Sequence, residues 1–383
     1  MNAPCSGPIS ATVARRGLAG PAAAARNLDG GDTRVGDAVN QRQVMPSAAA
    51  APVGPFLAAD VGGTHARIGL VVPTRDGGQP VRVLHYHRYQ CAAWPSLTAI
   101  LADFLRQLPA AVPGGEAPVA CAMACAGYVL GDAIVNENLP WPVSIGEIRR
   151  ELGIHELAVI NDFEAVAYAA QFIDPADTLP IIGAGQPPST GPVLVMGPGT
   201  GLGSAVLMPG GARAQVLATE AGQISLAPGN ARERQLLELL ARERDYVSYE
   251  EALSGPGLLN LYRALCQLRQ QPAVLAAPAD VTASALDASD AAAVEALQTF
   301  CGLLGSFAAD LTMLYGARGG VYLAGGILPQ IQGFLKASTF TERYFNKGVM
   351  RAYLQQVPVR LIEHGQLGVM GAAGWFLDAR EGA

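Results

Sequence analysis

The chain has 383 residues, 50% of them hydrophobic and 15% charged, enough to build the cores of two ordinary domains and far from the composition of a disordered protein. A formal net charge of -6 offers no basic footprint for a nucleic-acid backbone, although a small anion still has room at a local positive site. No run of roughly 18 apolar residues is free of polar interruption, so no membrane span is indicated.

Residues 1–52 are rich in Ala, Gly, Pro and Arg, show no hydrophobic period, and read as a disordered extension. Arg15 and Arg16 before GLAGPAAAA have the outline of an export signal, but Leu18 is the sole large apolar residue of that run, too little for a secretory core. Met45 is an alternative start. From Phe56 the pattern becomes α/β. FLAADV (56–61) and ARIGLVV (66–72) predict strands on either side of a DVGGT turn, and VRVLHYHRYQ (81–90) predicts a third. Leu97, Ile100, Leu101, Phe104, Leu105 and Leu108 recur at helical spacing behind Ser96, a candidate N-cap. APVACAMACAG (117–127) predicts a buried strand, IGEIRREL (145–152) a helix, ELAVIND (156–162) a strand and FEAVAYAAQF (163–172) a helix.

The second half restarts this plan. GPVLVMGPGTGLGSAVLM (191–208) is again strand, glycine turn and strand, followed by AQVLATEAGQISLA (214–227) and the helical patterns of 231–244 and 291–316. GGVYLAGGIL (319–328) predicts a strand ending in a glycine turn, and GQLGVMGAAGWFLDA (365–379) a closing helix. The order predicts mixed sheets with helices on their faces. The two glycine hairpins point to a long-range duplication and two similar lobes. The six cysteines (Cys5, Cys91, Cys121, Cys125, Cys266 and Cys301) form no CxxC pair and no zinc spacing, and read as free thiols of a reducing cytoplasm.

Glycines let backbone amides converge on an anion without a Cβ in the way. One DVGGT hairpin is either a tight turn or a phosphate loop; a second at Gly197–Gly203 favours a pair gripping nucleotide phosphates, with hydroxyls from Thr64 and Thr200. The P-loop pattern GxxxxGK[ST] is absent, the third glycine of the dinucleotide fingerprint is missing, and no HRD and DFG set occurs.

From Phe56 to the C-terminus the chain resembles the bacterial glucokinases of the actin, Hsp70 and sugar kinase superfamily. The resemblance rests on DVGGT (60–64), NLPW (138–141), INDFEAVAYA from Ile160, GPGTGLG (197–203), EAGQ (220–223), SGPGLLNLYRAL from Ser254, and AGGI (324–327). It implies a two-lobed actin-like ATPase fold, ribonuclease H-like, with a cleft between a smaller α/β domain (53–172 plus 364–383) and a larger one (173–363). It implies ATP-dependent phosphorylation of glucose to glucose 6-phosphate in a cytoplasmic homodimer, with no membrane or nucleic-acid partner.

The resemblance makes Asp162 the general base, which orients a sugar hydroxyl for in-line attack on the γ-phosphoryl group; the residue-level alternative is a helix N-cap. By the same correspondence Asn138, Asn161, Asp162, Glu220, Gln223 and Glu250 bind the sugar, with Glu251 a competitor of Glu250. Ala59, Asp60, Val61, Gly62, Gly63, Thr64, Gly199, Thr200 and Gly201 hold the nucleotide phosphates. Gly325 and Gly326 let the base approach. Asp60 is the outer-sphere carboxylate for Mg²⁺, and Arg67 pairs with Asp60 or another carboxylate. The chain departs from the family at His65, Glu137 and Gln223, where Asn, Thr and His are usual. These departures leave open a different hexose, or a sugar or nucleotide sensor with little turnover. The zinc-binding CxCGxxGCxE segment of the related repressor and kinase group is absent.

Overall fold

A computed structural model describes residues 54–74, 78–109, 117–136, 139–183, 190–210, 214–362 and 365–382. The expected N-terminal extension, Cys5, Glu137 and the candidate sugar ligand Asn138 lie outside the described residues.

The first half opens with strands β1 (Phe56–Val61), β2 (His65–Pro73) and β3 (Val81–Gln90), then helix α1 (Leu97–Gln107) and strand β4 (Ala120–Cys125). Ser96 caps α1 as expected, its Oγ accepting from Ala99 N at 3.1 Å. Three short strands, β5 (Tyr128–Leu130), β6 (Ala133–Val135) and β7 (Val143–Ser144), form a small sheet that the sequence patterns do not reveal. Helix α2 (Ile145–Leu152), strand β8 (Glu156–Ile160) and helix α3 (Asp162–Ala169) close this half. The strand of the IND segment therefore stops at Ile160, and Asp162 belongs to the helix.

The second half contains β9 (Leu179–Ile182), β10 (Val193–Pro198), β11 (Leu202–Met208) and β12 (Gln215–Thr219), followed by helices α4 (Ala231–Leu240), α5 (Gly255–Leu268), α6 (Pro278–Leu286) and α7 (Ala291–Tyr315). Strand β13 (Gly320–Leu323), short helices α8 (Gln332–Ala337), α9 (Phe340–Phe345) and α10 (Arg351–Leu354), strand β14 (Val359–Leu361) and helix α11 (Leu367–Gly382) complete it. Helix α7 has the length and apolarity of a membrane span, yet 72% of its most apolar window is buried inside the protein, as a core helix is.

The expected duplication is written in the strand order. One sheet runs β3-β2-β1-β4-β8 and the other β12-β11-β10-β13-β14, with β9 added at the edge. In both, the first three strands form an antiparallel meander and the next two join it in parallel. Each half has its own core. One is built around Leu57, Ile68, Phe104 and Ile148, the other around Leu194, Tyr262, Phe300 and Leu361. The helix that ends each half crosses to the other. Ala167 and Ala170 at the end of α3 bury against Val195, Ala205 and Leu207 of the second sheet, whereas Val369, Ala372 and Phe376 of α11 pack on Phe56, Ala58 and Ala122 of the first. This swap places the start of α3, where Asp162 stands, between the two sheets.

Candidate active site

Strands β1, β4 and β8 are parallel and end together at Val61, Cys125 and Ile160. Loops at the carboxyl ends of parallel strands are where α/β folds bind ligands, because neighbouring strands there part into turns and helix starts. The first glycine hairpin and the Asn161-Asp162 pair both lie on this edge.

Asn161 is the N-cap of α3, its Oδ1 accepting from Phe163 N at 3.0 Å and Glu164 N at 3.3 Å. This corrects the capping alternative for Asp162: the cap is one residue earlier, because the amide of Asn161 reaches the two free N–H groups of the first turn. Asp162, the first helical residue, accepts from Phe163 N at 2.9 Å. Burial raises its pKa from 3.8 to about 7. The charge of Asp60 adds to the rise, as that of Glu220 does, against the pull of the Phe163 N–H. The carboxyls of Asp60, Asp162 and Glu220 thus share one electrostatic environment.

Asp60 pairs with Arg67, the residue opposite it in the β1–β2 register, at 2.9 Å. This settles the open partner of Arg67. Burial raises the Asp60 pKa and Arg67 opposes the rise. At Gly368, near the start of α11, a Cβ would stand 2.5 Å from Cγ of Asp60, so only glycine lets the helix approach.

The first hairpin is fixed from below. Gly62 N donates to His65 O at 3.0 Å, Cys91 N donates to Thr64 O at 2.9 Å, and Cys91 Sγ lies 3.4 Å from Gly62 O. Trp141 Nε1 in turn reaches Cys91 O at 3.3 Å and Trp94 O at 3.1 Å. The tryptophan of NLPW therefore buttresses the hairpin, a role the motif alone does not disclose. Ala59 and Val61 bury their side chains in the core and offer none to a ligand, while Thr64 is exposed.

The second hairpin is bound into a network. Gly199 N donates to Gly201 O and Gly255 N to Gly199 O, both at 2.8 Å. Glu250 accepts from Leu202 N at 2.8 Å through Oε2 and from Gln223 Nε2 at 3.0 Å through Oε1, and its own N–H donates to Gly222 O at 2.9 Å. Glu251 turns away to Arg244 and Asn260, each at 3.1 Å. Of the two competitors, Glu250 is the one joined to EAGQ and the glycine loop. Phe163 connects this unit to Asp162: its ring lies so close to Gly203 that a Cβ there would be 1.9 Å from Cδ2.

Beside the second hairpin opens a cavity of about 300 Å³, lined by Gly199, Thr200, Gly255, Pro256, Ile327 and Gln330 among others. Gly325, at φ +90°, has no room for a Cβ, which would meet Pro198 O at 2.3 Å. Gly326 O accepts from Gln330 Nε2 at 2.8 Å. Ser254 of the SGPG segment caps α5 by accepting from Gly257 N at 2.9 Å, so the start of that helix faces the cavity through Gly255 and Pro256.

Among the described residues no group of three or more His, Cys, Asp or Glu is arranged to hold a metal ion. Asp60 and Asp162 supply hard oxygen atoms without a protein cage, a donor set that suits a cation keeping most of its own waters. The five described cysteines are free and buried. Burial pushes the Cys121 thiol up to about 12.

Known proteins share both sequence and fold with this chain. A protein-family model described as Glucokinase matches residues 57–379. The chain is 46% identical over 327 residues to the glucokinase-like protein of Xylella fastidiosa, covering 85% of this chain and 95% of that one. It is 38% identical over 325 residues to the glucokinase of Paramagnetospirillum magneticum, covering 85% and 98%. The crystal structure of glucokinase from an Antarctic psychrotroph is similar with a TM-score of 0.72 at 34% identity, covering 85% of this chain and 99% of that chain.

Proposed function

This chain belongs to the glucokinase family, and from that premise we propose that it transfers the terminal phosphoryl group of ATP to glucose, giving glucose 6-phosphate and ADP, with Asp162 as general base. The fold is the two-lobed α/β architecture of sugar kinases. The observation that carries the reading is the position of Asp162: on the carboxyl edge of one sheet, sensing the charges of Asp60 and Glu220, and tied through Phe163 to the second glycine hairpin.

A sugar hydroxyl is a poor nucleophile, and phosphoryl transfer passes through a loose transition state in which positioning and charge neutralisation matter more than base strength. Asp162 needs only to aim the hydroxyl and accept its proton, and a carboxyl titrating at about 7 is matched to that task near neutral pH. The sugar hydroxyls meet Glu220, Gln223 and Glu250, the last oriented by Leu202 N and Gln223. Asn161 contributes its amide nitrogen beside the cap it makes, and Asn138 joins by family correspondence.

Backbone amides of Gly63 and Thr64 in the first hairpin and of Thr200 and Gly201 in the second hold the phosphates, as concave main-chain nests do, while the amides of Gly62 and Gly199 close the two turns. The base occupies the cavity next to Gly325 and Gly326. Asp60 would hold a magnesium ion through its waters, and the ion would supply positive charge to the phosphates. Residues 53–172 with 364–383 form the smaller lobe and 173–363 the larger, and their closure on sugar excludes water that would hydrolyse ATP. On the same premise the enzyme is a cytoplasmic homodimer, which sedimentation of the purified chain tests. A coupled assay of ADP release over a panel of hexoses tests the reaction.

A further inference from the structure

Arg88 and His65 form a pair that the reaction just described does not use. Arg88 stands on β3 opposite Arg67 of β2, and its Nη2 lies 3.0 Å from Nε2 and 3.3 Å from Nδ1 of His65. A guanidinium only donates, so the imidazole nitrogen that faces it carries no proton. Burial lowers the pKa of His65, and the charges of Arg88 and Arg67 act in the same direction. His65 is also the residue that closes the first hairpin, its carbonyl accepting from Gly62 N.

The two arginines differ in how they are answered. Arg67 is paired with Asp60 at 2.9 Å, whereas Arg88 is exposed and makes no ion pair with a carboxylate among the described residues. His65, Arg67 and Arg88 share one face of the sheet with Asp60, at the edge that carries Asp162. Arg88 is therefore a cation beside the first hairpin with no carboxylate of its own, in a chain whose net charge is -6. His65 aligns the guanidinium with one N–H group and leaves the rest of its fork free.

We propose that His65 and Arg88 form an anion subsite for the terminal phosphate of the nucleotide donor, Arg88 gripping its oxygens and His65 setting the direction of the guanidinium. The inference rests on the nucleotide reading of the site. A planar fork meets phosphate oxygens two at a time, and positive charge on a phosphoryl group in transfer acts where the loose transition state spreads its negative charge. His65 replaces the Asn usual in the family, and its ring is the group that reaches Arg88.

The test is equilibrium binding of ATP and of ADP to the full chain and to R88A, R88K and H65N, with kcat and KM for ATP measured alongside and folding checked by circular dichroism. R88A is expected to bind ATP about tenfold more weakly and ADP within about twofold of wild type, with a fall in kcat. R88K, a point charge without a fork, falls between the two, and H65N loses part of the preference for ATP over ADP. If the wild type binds ATP and phosphorylates sugar but the folded variants keep its ATP-to-ADP ratio, the subsite is wrong and the kinase reading stands. Should R88A fail to fold, an unchanged ratio in both R88K and H65N overturns the subsite equally. A wild-type chain that binds neither nucleotide overturns both.

Discussion

The ring of Phe163 lies so close to Gly203 that any side chain at 203 would collide with it, the nearest ring atom being 1.9 Å from an added Cβ. The neighbour of the proposed base is thereby locked to the strand leaving the second glycine hairpin. Gly203→Ala should displace the ring, lower kcat, and destabilise the protein by about 1–3 kcal/mol, the usual cost of overpacking. Adding Phe163→Leu makes room for the new methyl. A double-mutant cycle should therefore show the pair less damaging than the sum of the singles, and additive effects would contradict the contact.

Asp162 ties activity and stability to pH in opposite directions. Transfer requires its carboxylate, so kcat/KM should rise with pH through about 7. Asp60→Asn, which removes a nearby like charge, should move that limb toward acid in a pH-rate profile.

Because the folded-state pKa of Asp162 is about 7 against an ordinary 3.8, the folded chain binds this proton more tightly than the unfolded one. Its stability then falls as pH rises between those values. Asp162→Asn removes the penalty. In calorimetry at about pH 8 the variant should be more stable than wild type by about 2 kcal/mol, allowing for solvent at a half-buried carboxyl. The gain should vanish as pH falls below 3.8, while transfer drops by about 10²–10⁴.

Glu250→Ala leaves Leu202 N and Gln223 without their acceptor. It should raise the KM for sugar at least about tenfold and loosen the second hairpin by about 1–3 kcal/mol. Glu251→Ala, which cuts contacts to Arg244 and Asn260, should leave that KM within about twofold. Steady-state kinetics of the two variants separates them, and reversed effects would reassign the sugar contact.

Much of the plan was legible because it is local. The two hairpins, the Ser96 cap and the strand before Asn161 follow from alternation, helical spacing and cap chemistry within a few residues of each other. What was not legible depends on tertiary register. The Asp60–Arg67 partnership is fixed by the β1–β2 pairing, His65 meets Arg88 only through the β2–β3 register, and Phe163 finds Gly203 because α3 crosses to the other sheet. The choice between Glu250 and Glu251 turns on backbone direction, which adjacent identical residues cannot reveal. Strands β5 to β7, β9 and β14, only 2–4 residues each, are too short to show a period.

The most direct measurement follows phosphorus by ³¹P NMR in a mixture of the purified chain, ATP, Mg²⁺ and glucose. The account predicts that the γ-phosphate signal of ATP is replaced, one for one, by ADP and a sugar 6-phosphate ester, and that Asp162→Asn binds the same nucleotide without forming the ester. A wild-type chain that binds sugar and nucleotide but forms no ester from glucose or any other hexose, or an Asp162→Asn chain that turns over like the wild type, would contradict it.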